Sequence, residues 1–151
     1  MAVINEKFTI NTKGNNDILD ITKQVQNCVY QHALKDALVC VSIQGSTSAV
    51  TTIEYEDGLV KDLHEALERI APTGLEYHHD EIWHDGNGYA HVRAALVGSS
   101  VNIALVNSPY FFDAITIAAP VIAAHAMCPP GVKKPRRNIT SSIISHPPAN
   151  K

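Results

Sequence analysis

The chain has 151 residues, 45% of them hydrophobic and 18% charged, with a formal net charge of −3. That length suits one domain, and that balance excludes a disordered chain and gives no overall attraction to nucleic acid or an anionic membrane surface. Three cysteines without CxxC spacing fit reduced thiols rather than a disulfide framework, and the N-terminus carries no basic-then-apolar leader, so a cytoplasmic protein is expected.

The first segment, EKFTINTK from Glu6, alternates apolar and polar residues and predicts a half-buried strand carrying Phe8 and Ile10. From Asp17 the period lengthens. Ile18, Ile21, Val25 and Val29 predict an amphipathic helix with Asp20 or Thr22 as N-cap. LVCVSIQ, from Leu38, returns to period two with Val39, Val41 and Ile43 on one face. GSTS (Gly45–Ser48) breaks it, and the β-branched AVTTIEYE predicts another strand. DGLVKDLHEALERIAP, from Asp57, is the clearest helix. Leu59, Leu63, Leu67 and Ile70 form its stripe, Asp57 caps it and Pro72 ends it. After a histidine-rich stretch, GYAHVRAALVG predicts a short helix with Asn87 as N-cap and Gly98 as stop. SVNIALVN reads as a strand. The apolar block after Pro109 fits strand or helix and, interrupted by Pro120 and His125, is too short to span a bilayer. RNITSSIIS reads as the last strand. The expected fold class is therefore α+β: a single compact domain over residues 1–146, with a large, mostly antiparallel, sandwich-like sheet and two to three helices, then a loose tail at 147–151.

Four segments offer chemistry. YHHDEIWHDGNGYAH (Tyr77–His91) holds four histidines, and neutral imidazole is the usual ligand for zinc and similar ions where thiols are absent. His79 and His91 are too far apart for one helical face, so a shared ion needs a fold-back at DGNG. Asp80, Asp85 and Asn87 offer oxygens to a harder ion, or orient an imidazole. The same residues also suit a solvated loop. GSTS combines a glycine with three hydroxyls that can donate to phosphate oxygens, or it is simply a tight turn. Arg93 can meet an anion near a helix start, and Glu54 can act as base or ligand, although both residue types are ordinary on a surface. The basic KKPRR cluster (Lys133–Arg137) reads as a solvated loop, and Cys128 as a structural thiol.

Two long stretches, GSTSAVTTIEYEDGLVKDL and YHHDEIWHDGNGYAHVRAALVGSS, closely resemble the YjbQ-like family, also called secondary thiamine-phosphate synthase. The resemblance implies an α+β homotrimer. It also implies a transferase joining hydroxymethylpyrimidine pyrophosphate to thiazole phosphate with release of pyrophosphate. It places His79 and His91 as ligands of a divalent metal, Zn or Mg. Glu54, Asp85 and Asn87 fall on catalytic positions. Gly45, Ser46, Thr47, Ser48 and Arg93 fall on positions that bind a small phosphorylated substrate. The match weakens later: Asp113, Ala114, Ile115 and Thr116 stand where the family's Gly-Thr-Trp-Gln motif is expected. That departure leaves open a non-catalytic, metal- or anion-binding trimer of the same fold.

Overall fold

The computed structural model describes residues 3–14, 16–106, 116–121 and 139–145, the last two segments as backbone. The expectations for Lys133–Arg137, Cys128, Asp113–Ile115 and the tail lie outside the described residues. Seven strands and four helices follow in the order β1 (Ile4–Ile10), β2 (Asp17–Asp20), α1 (Thr22–Gln31), β3 (Ala37–Ile43), β4 (Thr51–Ile53), α2 (Asp57–Ile70), α3 (His78–Trp83), α4 (Gly88–Val97), β5 (Ser100–Leu105), β6 (Thr116–Val121) and β7 (Ile139–Ser145).

The architecture is α+β, with all strand pairs antiparallel and divided between two sheets. One has the order β1-β7-β3-β5, so the last strand lies between the first and the third. The other has the order β2-β6-β4. Within the apolar block, Thr116–Val121 is strand β6. Among the described residues four helices stand in place of the two to three expected; the additional one is α3, where the sequence suggests only a polar loop.

The alternation in β3 places Val39, Val41 and Ile43 on the buried face as expected, with Ile103 and Leu105 of β5 beside them. α1 covers this face through Val25 and Val29. Its start differs from the expectation. Residues Asp17–Asp20 are strand paired with β6, and the helix begins at Thr22. Ile18 and Ile21 are buried all the same, because a strand running straight into a helix can send both toward one core. The Asp20 carboxylate accepts the Thr22 N–H at 2.8 Å, so it does satisfy a donor at the helix start.

α2 is capped by Glu56 rather than Asp57. The Glu56 carboxylate accepts from the N–H groups of Gly58, at 2.7 Å, and Leu59. A longer acid one residue earlier reaches the same orphan donors. Leu67 is buried, but Ile70 at the last turn is exposed, and Ala71 beyond it fills the core instead. Among the described residues no helix is long and apolar enough to cross a membrane.

Candidate metal centre and adjoining recess

α3 and α4 form a tight corner around Asp80. Its Oδ1 accepts from the backbone N–H groups of Asn87 and Gly88, each at 2.9 Å, and so caps α4 in place of the Asn87 side chain. Gly88 makes the corner possible, since a Cβ there would lie 2.4 Å from Tyr77 Cβ and 2.8 Å from Tyr77 Cγ. Tyr77 is held in turn by its hydroxyl, which donates to Pro72 O at 2.8 Å. His84 ends α3 in the left-handed region at φ 52° and turns the chain toward Asp85.

This corner supplies the fold-back that a shared ion needs. The rings of His79 and His91, twelve positions apart in sequence, meet with centroids 4.3 Å apart and planes inclined by 45°. Asp85 Oδ1 stands 3.6 Å from His79 Nε2, while Asp85 Oδ2 accepts from Asn87 Nδ2 at 2.6 Å. Ligand atoms of His79, Asp80 and Asp85 lie within 4.8 Å of one another. Asp80 thus joins the expected site residues. The sequence offers its oxygen, but only the corner aims it.

The donors pass a physical test for a cation. His79 Nε2, Asp85 Oδ1 and Asn87 Oδ1 are buried and have no hydrogen-bond partner among the described residues. Three such atoms gathered at one corner are costly, because buried polar groups are nearly always partnered. Nitrogen and oxygen atoms of this kind are the donors that a divalent ion would take. The His91 imidazole is held below its ordinary pKa by burial first and then by the neighbouring His79, against the pull of Asp85 and Asp80.

Beside the corner lies an open recess of about 530 Å³. Gly45, Ser46 and Ser48 form one wall, His91, Ala94 and Ala95 of α4 another, and Gly98 and Ser99 the floor. Two backbone bonds fix the walls: Val50 N to Gly98 O at 3.0 Å, and Ile43 N to Ser99 O at 2.9 Å. Gly45 adopts φ 122°, which a side chain would resist. Thr47 is buried and does not line the recess.

Two expected residues stand apart from this arrangement. Glu54, just past β4, is exposed and does not line the recess. Arg93 points inward and is fully buried. Its Nε donates to Ala71 O at 2.8 Å, Nη1 to Asn16 Oδ1 at 2.6 Å and Nη2 to Glu68 Oε2. The Tyr89 ring lies 5.0 Å from its guanidinium carbon. These bonds tie α4 to the end of α2, with no share in the recess lining.

Comparison with known proteins gives a consistent picture. The family profile described as UPF0047 protein YjbQ-like matches residues 6–114. A UPF0047 protein of Archaeoglobus fulgidus is 39% identical over 95 residues, 63% of this chain and 71% of that one. A UPF0047 protein of Methanothermobacter thermautotrophicus is 29% identical over 107 residues, 71% of this chain and 73% of that one. Among solved structures, a hypothetical protein from Aeropyrum pernix K1 superposes with a TM-score of 0.79 at 21% identity, covering 95% of this chain and 98% of that one. A YbjQ-like protein of unknown function from Sulfolobus solfataricus P2 gives 0.76 at 20% identity, covering 95% and 97%.

Proposed function

The chain belongs to the UPF0047 YjbQ-like family, and on that premise we propose that it is a metal-dependent transferase acting on a small phosphorylated substrate. The reaction we assign is thiamine-phosphate formation. The observation that carries the reading is the cluster of three buried, unpartnered atoms on His79, Asp85 and Asn87 beside a hydroxyl-lined recess.

In that reaction a thiazole ring nitrogen attacks the methylene carbon of the pyrimidine substrate. The carbon–oxygen bond to diphosphate breaks, and diphosphate leaves with the electron pair. A divalent cation, when bound, would supply positive charge to the departing oxygens. His79, Asp80 and Asp85 would hold it. Asp85 also fixes the Asn87 amide through its second oxygen. Ser46 and Ser48 donate hydroxyls to phosphate oxygens, and the two backbone bonds of the recess keep that wall in place. His91, depressed in pKa, is neutral near pH 7 and presents an uncharged ring to the recess. Arg93 acts at a distance by holding α4 against α2. Homotrimeric assembly and a cytoplasmic location accompany the reading, and light scattering of the purified protein checks the first.

The purified chain, given both precursors with Mg²⁺ or Zn²⁺, is expected to form thiamine phosphate, and a His79→Ala/His91→Ala variant to form none. Equal turnover by the two would remove these histidines from the mechanism. The departure at Asp113–Thr116 favours a second reading, a metal- or anion-binding protein without turnover. Calorimetric metal binding with no product from the wild type selects it.

A further inference from the structure

The chain's only tryptophan stands at the rim of the metal centre and contributes little to the core. Trp83 is the last residue of α3 and is 68% exposed, with Ile82 beside it at 73%. A large apolar side chain left in water next to a cluster of ligand atoms calls for an explanation. The indole is nonetheless oriented. One helical turn from His79, it stacks on that imidazole with centroids 6.4 Å apart and planes within 25°. His79 meets His91, and His91 lines the recess. Ring contacts therefore run from Trp83 through the ligand set to the hydroxyl-rich wall.

We propose that Trp83 is a stacking platform for a planar heteroaromatic ring of the substrate, whose anionic end lies toward the cation and the Ser46–Ser48 wall. The orientation of the anionic end rests on the function proposed above; the stacking rests on the placement of the indole. Among the described residues of α3, only Ile82 and Trp83 offer large exposed apolar side chains, few for a protein partner. Around Ile82 and Trp83 stand the exposed His78 and Glu81 side chains, whereas a stable protein interface needs a broad apolar centre. An aromatic face open to solvent, with its neighbour ring already set for offset stacking, suits a single flat ring. Removal of such a platform typically weakens a ring ligand about tenfold to a hundredfold.

Because one tryptophan is present, indole fluorescence reports this site alone. The Mg²⁺-loaded full chain is titrated with two probes: an aminopyrimidine bearing a hydroxymethyl diphosphate, and inorganic pyrophosphate. The ring probe is expected to quench the emission and, by calorimetry, to bind Trp83→Ala at least about tenfold more weakly, with Trp83→Phe recovering most of the loss. Pyrophosphate is expected to bind wild type and Trp83→Ala alike. The side chain is exposed, so circular dichroism is expected to show both variants folded. The inference is overturned if the ring probe binds wild type and Trp83→Ala equally, or binds neither. It is also overturned if the emission shifts with protein concentration before any probe is added, since a second copy would then cover the indole. Trp83-dependent ring binding without product upholds this inference and removes the transferase reading; turnover with an unchanged KM in Trp83→Ala does the reverse.

Discussion

His91 carries the clearest electrostatic signature of the site. Burial disfavours its charged form, and the neighbouring His79 ring adds to that. The native imidazole thus has a lower pKa than the unfolded one, which titrates near its usual value of about 6.5. Above that value both states are neutral and the stability is fully present. As the pH falls through it, the unfolded chain takes up the proton first and stability is lost, down to the native pKa. The melting temperature of the chelator-treated protein is therefore expected to drop as the pH falls through about 6.5. His91→Gln should flatten that slope, and an unchanged slope would show that other groups produce it. Ligand chemistry is equally local. Asp85→Asn removes the carboxylate charge facing His79 Nε2 and leaves one acceptor oxygen where two served the Asn87 amide and the ion site, so calorimetry is expected to read a cation affinity lower by about 100-fold. Glu54→Gln, off the recess, should leave the affinity unchanged. The meeting of the two histidine rings was legible in the sequence as a fold-back at DGNG. Asp80 and Arg93 were not, because composition and spacing do not say which way a side chain turns.

At the scale of elements, period alone carried most of the information. β3 buries the residues that its pattern selects, whereas of the α2 stripe Leu67 is buried, Leu59 and Leu63 are half-buried and Ile70 is exposed. The pattern failed where two elements share one period. Ile18 and Ile21 continue the stripe of α1, yet Asp17–Asp20 pairs with β6, a partner nearly 100 residues away in sequence. α3 escaped for the opposite reason: none of its six residues is buried, so no apolar period marks it. What makes α3 matter is its contact with α4 through Gly88. A methyl group there would meet Tyr77 Cβ and Cγ well inside contact distance, and Tyr77 is pinned by its bond to Pro72. Gly88→Ala is expected to cost about 1–3 kcal/mol in urea denaturation. It should also weaken cation binding, because the corner that brings His79 to His91 must open. Loss of stability with full cation affinity would mean that the strain is absorbed away from the corner.

The whole molecule depends on pairings that no local pattern records. β7 enters between β1 and β3, so the larger sheet is complete only when the end of the chain has arrived. Arg93 does something similar with a single side chain. It reaches Asn16, 77 residues earlier, together with Glu68 and Ala71, and joins the β1–β2 connection and the end of α2 to the helix that bears His91. The guanidinium fork suits three acceptors in different directions, whereas an ammonium presents one charge at a different reach. Arg93→Lys is therefore expected to lose about 1–3 kcal/mol, the scale of hydrogen bonds to a charged group left incompletely made. The Glu68 contribution is the smaller part, because that side chain is 47% exposed and water screens it. Most of the loss should come from Ala71 O and Asn16, so Glu68→Gln alone is expected to cost less than Arg93→Lys. If the two substitutions cost the same, the ion pair rather than the fork holds α4 in place. If neither matters, α4 is positioned by Tyr89 and Ala90 packing on Ala49 instead.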